Sequence, residues 1–464
     1  MHKVKVGNKV CGVPDGALLS EILPQMQEHI AHPCGGRGTC RKCLVVVDGK
    51  EQLACQYRVF SDISVEIPEC GEVESEAGIQ TCDKHSGNLC FVLDLGTTTL
   101  ALALVSIDDH SVVGIRTSTN PQRTFGADIM TRIDFCHRHG VQELQKILVT
   151  EINTLLETFH VSGVERLYVA GNTTMLHLLF GVDCSSMGIA PYTPVFLGEK
   201  CLQAQELGIE GIKQIVSLPS ISAFVGADLV AGLNCVAIPR TGLYSLLVDL
   251  GTNAEILLFS QDAILCTAAA AGPCFEGANI SCGMSATDGA IYAYANGVAA
   301  TIGNLPAKGV CGTGLFDIVA ELLRNGTVDA TGLMEDEVFE IAPGVQLTQM
   351  DVRQFQLAKA AVCAGIQTLL FRQSVAYDQV EKVYISGGFS AKINLRNAVK
   401  TGLISKELEE KCVCINNSCL QGAVRYACEQ NDLQGLVDRA LYVDLSSDGV
   451  FTELFVNNML FEED

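Results

Sequence analysis

The chain has 464 residues, of which 48% are hydrophobic, and its formal net charge at pH 7 is −22. This composition excludes a disordered chain, and the length is sufficient for about three domains. So acidic a chain is repelled by nucleic acid and by anionic membranes, and no apolar run approaches the roughly 18 residues that span a membrane. The N-terminus has no apolar core followed by a small-residue cleavage site, so no signal peptide is expected.

Cysteine is abundant, with 21 residues in the chain. A secreted disulfide scaffold is shorter and denser in cysteine, and the odd count argues against complete pairing. Exposed thiols are lost to oxidation in cells that contain oxygen. We therefore expect reduced thiols and a cytoplasmic location in an anaerobic cell.

The first 75 residues predict a small β-grasp unit of α+β class. Its predicted elements are strands at 3–6 and 10–13, an amphipathic helix at 17–30 that contains a proline, a strand at 44–47, a DG turn at 48–49 and a strand at 63–68. Polar, acidic sequence without apolar periodicity follows. We assign residues 1–75 to this unit and residues 76–89 to a linker.

Within that unit, residues 32–43 read HPCGGRGTCRKC, and a further cysteine follows at position 55. The spacing of Cys34, Cys40, Cys43 and Cys55 is C-x5-C-x2-C-x11-C. Four thiolates are the ligand set of a [2Fe–2S] cluster, and the glycines allow the backbone to curl around it. Zinc is the alternative, but zinc sites usually use two C-x2-C pairs and this loop has one. The loop resembles that of plant-type [2Fe–2S] ferredoxins.

From residue 90 the pattern becomes that of an α/β protein. It predicts strand–turn–strand segments at 90–107 and 244–258, strands at 166–171 and 382–390, and a helix at 354–371. Both strand–turn–strand segments contain the sequence Asp-Leu-Gly-Thr, which starts at Asp94 in one and at Asp249 in the other. This is a duplication at the scale of a domain, and we assign residues 90–235 and 236–464 to its two halves.

Each repeated turn has the residue types of a phosphate-binding loop. Glycine and backbone N–H groups can approach a phosphate closely, threonine hydroxyls donate to its oxygens, and an aspartate can hold Mg²⁺ or the attacking water. A duplicated hairpin without a nucleotide remains the alternative. The candidate residues are Asp94, Gly96, Thr97 and Thr98 in the first turn, and Asp249, Gly251, Thr252 and Asn253 in the second.

The two turns, together with a late strand that runs into Gly387 and Gly388, resemble the acetate/sugar kinase, Hsp70 and actin superfamily. This resemblance implies a duplicated ATPase fold that binds ATP and Mg²⁺. It implies that Asp94 and Asp249 serve catalysis, that the glycines and hydroxyls of both turns bind phosphate, and that the glycine pair packs against the adenosine.

Other candidate segments carry no assigned role. Five segments are rich in glycine, asparagine and small hydroxyl side chains, and we expect them either to line a ligand cleft or to serve as tight packing points. They span residues 120–129, 170–181, 222–233, 272–284 and 310–323. His137, His139 and His177 are read as ordinary histidines. The spacing of Cys412, Cys414, Cys419 and Cys428 matches no common cluster pattern, and these thiols are read as small buried side chains.

An iron–sulfur unit fused to this ATPase fold resembles the reductive activators of corrinoid-dependent methyltransferase systems. The segments FVLDLGTTTLALAL, NPQRTFGADIMTRI, AGNTTMLHLLFG, GPCFEGANISCGM and LTQMDVRQFQLAKAAVCAGI carry the resemblance, which covers essentially the whole chain. It implies ATP-dependent transfer of one electron from the [2Fe–2S] cluster to Co(II), which regenerates Co(I). It also implies a corrinoid protein as partner, a ferredoxin or flavodoxin as electron donor, and a homodimer.

Three other functions stay open at this point. A small-molecule kinase with an appended ferredoxin has the same two parts. An activator of a radical dehydratase or of a benzoyl-CoA-type reductase uses the same ATPase fold with a shared [4Fe–4S] cluster. A redox sensor would bind nucleotide without coupled electron transfer.

Overall fold

The computed structural model describes residues 1–7, 9–26, 43–67, 87–126, 128–388 and 392–462. Within these ranges the chain divides into two units, Met1–Ser217 and Leu218–Asp464. The predicted linker lies almost wholly outside the described residues, and the predicted domain limits stay predictions. No helix in the described ranges is long and apolar enough to cross a membrane.

The N-terminal part of the first unit is a mixed five-stranded sheet in the order β2-β1-β7-β4-β5. Strands β1 and β7 run parallel at its centre, and the other neighbours are antiparallel. Alternating valines cover one face and form a core with α1. The elements are β1 His2–Val6, β2 Lys9–Val13, β3 Ala17–Leu18, α1 Leu19–Ile22, β4 Leu44–Val47, β5 Lys50–Leu53, β6 Arg58–Val59 and β7 Ile63–Glu66.

The helix predicted over residues 17–30 is wrong in its length and start. Ala17 and Leu18 form β3 and pair with β6, α1 has only four residues, and a 3-10 helix follows at Leu23–Met26. Pro24 has no amide hydrogen to donate within an α-helical turn, and α1 ends two residues before it. Residues 27–30 lie outside the described ranges.

The rest of the first unit is a six-stranded sheet in the order β10-β9-β8-β11-β13-β12. Strands β8, β9 and β10 form an antiparallel meander, and β11 and β13 follow in parallel with β8. The elements are β8 Leu89–Leu95, β9 Thr99–Ser106, β10 Ser111–Thr119, α2 Ile129–His139, α3 Gln142–Glu157, β11 Arg166–Gly171, α4 Thr173–Leu179, β12 Lys200–Gln203 and β13 Gln214–Ser217.

The second unit contains a six-stranded sheet in the order β23-β22-β14-β15-β16-β24, a three-stranded sheet and a hairpin. Its strands are β14 Tyr244–Leu250, β15 Ala254–Phe259, β16 Ile264–Ala269, β17 Ala290–Ala295, β18 Val298–Thr301, β19 Gly309–Val310, β20 Val338–Ala342, β21 Val345–Thr348, β22 Val380–Ser386, β23 Cys412–Cys414 and β24 Ala440–Tyr442. Its helices are α5 Ala227–Cys235, α6 Gly312–Arg324, α7 Gln349–Gln373, α8 Leu395–Lys400, α9 Ser418–Glu429, α10 Leu433–Val437 and α11 Gly449–Asn457.

The two large sheets repeat one topology, which confirms the predicted duplication. In the first sheet the meander β8-β9-β10 is extended by parallel strands β11 and β13, and in the second the meander β14-β15-β16 is extended by parallel strands β22 and β23. Each predicted phosphate turn joins the first two strands of its meander. The duplicated mixed sheets are those of the actin, Hsp70 and sugar-kinase fold, as predicted.

Candidate functional site

Two of the four predicted cluster ligands, Cys43 and Cys55, are brought together by a hairpin. Strands β4 and β5 are joined by a two-residue turn in which Asp48 and Gly49 both have positive φ, as the DG signal predicted. This turn fixes the pairing of β4 with β5, and the amide of Ala54 donates to the carbonyl of Cys43 at 2.9 Å. The Sγ atoms of Cys43 and Cys55 consequently lie 3.2 Å apart, and both residues are buried.

The other two predicted ligands, Cys34 and Cys40, lie outside the described residues. Within the described ranges no group of three or more metal-ligating side chains occurs. Two adjacent thiols fit one side of a thiolate-bound cluster, and they fit zinc equally well, so the choice between these metals stays a prediction.

Cysteines near the C-terminus have a different setting. Cys412 and Cys414 lie on the edge strand β23, and Cys419 and Cys428 lie on α9. Burial raises the pKa of Cys412 to about 12 and also raises the pKa of Cys414. Thiols with raised pKa values stay protonated at neutral pH and are poor metal ligands.

The first predicted phosphate turn is a tight connection between β8 and β9. Gly96 has no room for a side chain, because a Cβ atom there would lie 2.4 Å from the carbonyl oxygen of Thr99. Thr97 and Thr98 complete the turn and are half-buried, and Asp94 is the last residue but one of β8. The backbone therefore turns sharply just after the aspartate, as the sequence pattern predicts.

All three carbonyl groups of this turn are bound by the protein. The side-chain amide of Asn120 donates to Gly96 O at 2.8 Å, and its backbone N–H donates to Thr98 O at 2.9 Å. The Nη2 atom of Arg132 donates to Thr97 O at 2.6 Å. Because the carbonyl oxygens are engaged in this way, their partial negative charges are offset within the fold.

The amide groups of the same turn are free of such contacts. Among the described residues, none accepts a hydrogen bond from the backbone N–H of Gly96, Thr97 or Thr98. Asn172, which caps the N-terminus of α4, donates to the hydroxyl of Thr97 at 2.9 Å. The turn thus offers donors without acceptors, which is the arrangement that binds an anion.

Sequence reasoning assigned no role to Asn120, Arg132 or Asn172. Asn120 and Asn172 lie in two of the glycine- and asparagine-rich segments that were predicted to line a cleft, and Arg132 lies in the longer segment NPQRTFGADIMTRI that begins at Asn120. The signal for both asparagines was their position directly before a helical start, where a side-chain oxygen caps the helix.

The second predicted turn joins β14 to β15 and is more acidic. The N–H of Gly251 donates to the carbonyl of Asn253 at 3.1 Å, which closes the turn. Asp249 lies opposite Glu255 in the strand pairing. Burial, followed by the negative charges of Asp228 and Asp249, raises the pKa of Glu255 well above its usual range. Asp249 and Glu255 together offer carboxyl oxygens, which are the ligand type that Mg²⁺ prefers, and in the described ranges they belong to no larger group of metal-ligating side chains.

The predicted glycine pair lies beside the second turn. Strand β22 runs parallel to β14, with Ser386 opposite Asp249. Gly387 has φ +114°, and a Cβ atom on it would lie 2.1 Å from the carbonyl oxygen of Leu250. Only glycine allows β22 to end this close to the start of the second turn, so the structure joins these two predicted elements.

Replacing Gly387 with alanine is expected to lower the melting temperature of the chain by several degrees, because the required φ is strained for alanine by about 1–3 kcal/mol and the Leu250 carbonyl must also move. Thermal unfolding followed by circular dichroism measures the change. Gly388→Ala is the matched control, since a Cβ atom at Gly388 meets nothing within 4 Å. Equal melting temperatures for the two variants would contradict the close approach.

His177 is an internally satisfied histidine, as predicted. It is buried on α4, with Nδ1 2.7 Å from the carbonyl of Thr173, and its Nε2 accepts a hydrogen bond from the N–H of Val195 at 3.1 Å. Its ring stacks on Phe196, and burial lowers its pKa. The neutral ring therefore holds the segment after α4 in place.

Most of the chain matches models of a single known protein family. A family model described as the RACo middle region matches residues 89–241, and a model described as the C-terminal domain of RACo, the ASKHA domain, matches residues 244–464. The chain belongs to the RACo family. As a member of that family it is a reductive corrinoid activator with an ASKHA ATPase domain, and this confirms the family resemblance stated from the sequence.

Two curated relatives and one solved structure align with the RACo-family chain. The corrinoid activation enzyme RamQ of Eubacterium limosum is 25% identical over 97% of both chains. A reductase of Methanosarcina barkeri, named for the Co(II) form of a methylated amine-specific corrinoid protein, is 25% identical over 75% of this chain and 71% of its own. A solved structure of a reductive activator for corrinoid, iron–sulfur protein has a TM-score of 0.71 at 24% identity, over 99% of this chain and 98% of its own, and so shares the fold.

Proposed function

We propose that this chain is an enzyme that uses ATP to reduce the cobalt of a corrinoid protein from the inactive Co(II) state to Co(I). The observation that carries the proposal is the alignment with RamQ, a named corrinoid activation enzyme, over 97% of both chains. The adjacent thiols of Cys43 and Cys55 and the open amides of the first turn support it.

The energetics of cobalt explain why such a reaction requires ATP. Co(I) is the nucleophile that accepts a methyl group, and ordinary electron donors reduce Co(II) only against an unfavourable potential gap. Each gap of about 59 mV in a one-electron transfer lowers the equilibrium yield tenfold. ATP overcomes the gap if the nucleotide-bound chain binds the corrinoid protein in a form that is easier to reduce.

We propose that Cys34, Cys40, Cys43 and Cys55 hold a [2Fe–2S] cluster. When bound, the cluster would carry one electron at a reduction potential of about −400 mV. The protein contributes thiolates held in fixed positions, and the β4–β5 hairpin holds those of Cys43 and Cys55. Burial of both thiols limits their access to water and oxidants.

For the nucleotide, we propose that both turns bind phosphate groups of ATP. Backbone and side-chain groups donate hydrogen bonds to the phosphate oxygens from Thr97, Thr98, Thr252 and Asn253. Gly96 and Gly251 allow the phosphates to approach the backbone closely. Gly387 and Gly388 pack against the adenosine. Asp94 and Asp249 are the proposed catalytic carboxylates, which hold Mg²⁺ or orient the attacking water. The acidic surroundings of Asp249, with Glu255 opposite it, suit a divalent cation.

The remaining parts of the proposal concern its partners. We propose a cytoplasmic homodimer that receives electrons from a ferredoxin or flavodoxin and delivers them to a corrinoid protein. The chain has a net charge of −22, so binding to nucleic acid or to an anionic membrane is not expected.

The experiment that tests the proposal begins with anaerobic purification and an assay of iron and sulfide. We expect about two of each per chain, with an electron paramagnetic resonance signal of a reduced [2Fe–2S] centre. ATP hydrolysis should then rise on addition of a Co(II) corrinoid protein. Zinc in place of iron, or hydrolysis that a corrinoid protein leaves unchanged, would contradict it.

A further inference from the structure

Arg132 is one of the largest fully buried side chains of the described residues, and each nitrogen of its guanidinium group contacts the first turn or its surroundings. Its Nε donates to the carbonyl of Gly126 at 2.9 Å, and its Nη1 donates to the side-chain oxygen of Gln122 at 3.1 Å and lies 3.0 Å from Sδ of Met175. Its Nη2 donates to Thr97 O at 2.6 Å. Every hydrogen-bond partner is thus a neutral group.

This guanidinium forms no ion pair with a carboxylate in the described part of the chain. Burial lowers the pKa of Arg132 to about 9, Asp128 opposes this change and Arg123 adds to it. The side chain is still charged at neutral pH. A buried charge that makes no direct ion pair is unfavourable for the fold, and an anion bound nearby offsets it.

The turn next to Arg132 has the polarity that an anion requires. Its carbonyl oxygens are bound by Arg132 and Asn120, whereas its three amide groups face no protein acceptor in the described ranges. Without the hydrogen bond from Arg132 to Thr97 O, the peptide plane between Thr97 and Thr98 is free to rotate. The N–H of Thr98 would then no longer point in the same direction as the other two amide donors. Arg132 therefore fixes the orientation of the donors.

We propose that Arg132 is the positioning residue of the first phosphate turn, and that its buried charge makes the turn selective for anionic phosphate ligands over uncharged ones. This inference rests on the proposed function, because it takes the turn to bind the phosphates of ATP. Arg132 acts through the turn and through its field, and no contact of its own with the nucleotide is required.

The alternative is a purely structural role, in which Arg132 joins α2 to β8 and β9 and does nothing for the ligand. The two roles differ in what they predict for charge discrimination. Loss of a structural contact weakens binding of adenosine and ATP alike, since both need a folded site. Loss of the positioning role weakens the binding of ATP. The binding of adenosine, which lacks phosphates, stays unchanged.

The test is the ratio of the affinities for ATP and adenosine, measured by isothermal titration calorimetry on the anaerobic full-length chain. For Arg132→Met we expect the ATP affinity to fall by about 10- to 100-fold, which is the effect of one misoriented amide donor to a charged phosphate, and the adenosine affinity to stay within about twofold. Arg123→Met removes a nearby charge whose side chain makes no hydrogen bond to the turn in the described ranges, and it is the matched control, for which we expect the wild-type ratio.

Arg132→Lys provides a second reading. It keeps the charge but cannot reproduce the branched set of donors. We therefore expect the ratio of ATP affinity to adenosine affinity to fall by about threefold to tenfold. If Arg132→Met does not fold, Arg132→Lys decides the question. A wild-type ratio in a folded Arg132 variant overturns the inference. A wild-type chain that binds ATP no more tightly than adenosine contradicts the proposed function itself, and this outcome is distinct from the first.

Discussion

Asp249→Asn is expected to reduce ATP-dependent formation of Co(I) by about 100-fold or more and to leave the visible absorption of the iron–sulfur cluster unchanged. Asp249 is the last residue but one of β14, two positions before Gly251, and it lies opposite Glu255. Asparagine keeps the shape of the side chain but removes the negative charge that Mg²⁺ or the attacking water requires. Co(I) is measured by its absorbance in the presence of ATP, a reductant and a corrinoid protein.

Asp262→Asn is the matched control for this variant. Asp262 is an exposed carboxylate in the connection between β15 and β16, at the other end of the same meander. We expect it to retain the wild-type rate. The role assigned to Asp249 would be wrong if Asp249→Asn formed Co(I) as fast as Asp262→Asn does.

The second large effect is expected for Cys43→Ser, which should lose most of the bound iron and the visible absorption of the cluster. The Sγ of Cys43 lies 3.2 Å from that of Cys55, and a hydroxyl in its place is a much weaker ligand for iron. ATP affinity should stay within about twofold, because Cys43 directly precedes β4, which belongs to a different sheet from the strands that flank either phosphate turn. Iron content and nucleotide titration measure the two effects separately.

Cys11→Ser is the control for the thiol variant. Cys11 lies on β2 of the same sheet, is half-buried, and is not among the predicted ligands. We expect this variant to keep its iron. A Cys43→Ser protein with a normal cluster spectrum would show that the predicted ligand set is incorrect.

Much of the fold follows from local sequence signals. The DG turn at Asp48 and Gly49 gave the hairpin that places Cys43 beside Cys55, and the repeated Asp-Leu-Gly-Thr gave the two meanders. These signals succeed because turn chemistry and alternating apolar residues act over a few positions. The helix predicted at 17–30 failed where a proline and a pairing with β6 overrode the apolar periodicity.

The candidate site was predicted less completely, and the reason is distance along the chain. Arg132 binds the carbonyl of Thr97, 35 positions before it, and no local pattern around Arg132 indicates this contact. Glu255 follows the second turn in sequence, but the rise in its pKa depends on burial and on Asp228 in α5. Both properties arise only when helices pack against the sheet, so single-sequence periodicity does not contain them.

The most direct test of the central claim is the change of a corrinoid protein from Co(II) to Co(I), followed by absorbance, in anaerobic mixtures that contain the iron-loaded chain and a reductant with and without ATP. We predict that Co(I) forms only in the mixture with ATP. Equal formation of Co(I) in both mixtures would contradict the account, because the phosphate turns would then have no part in the reduction.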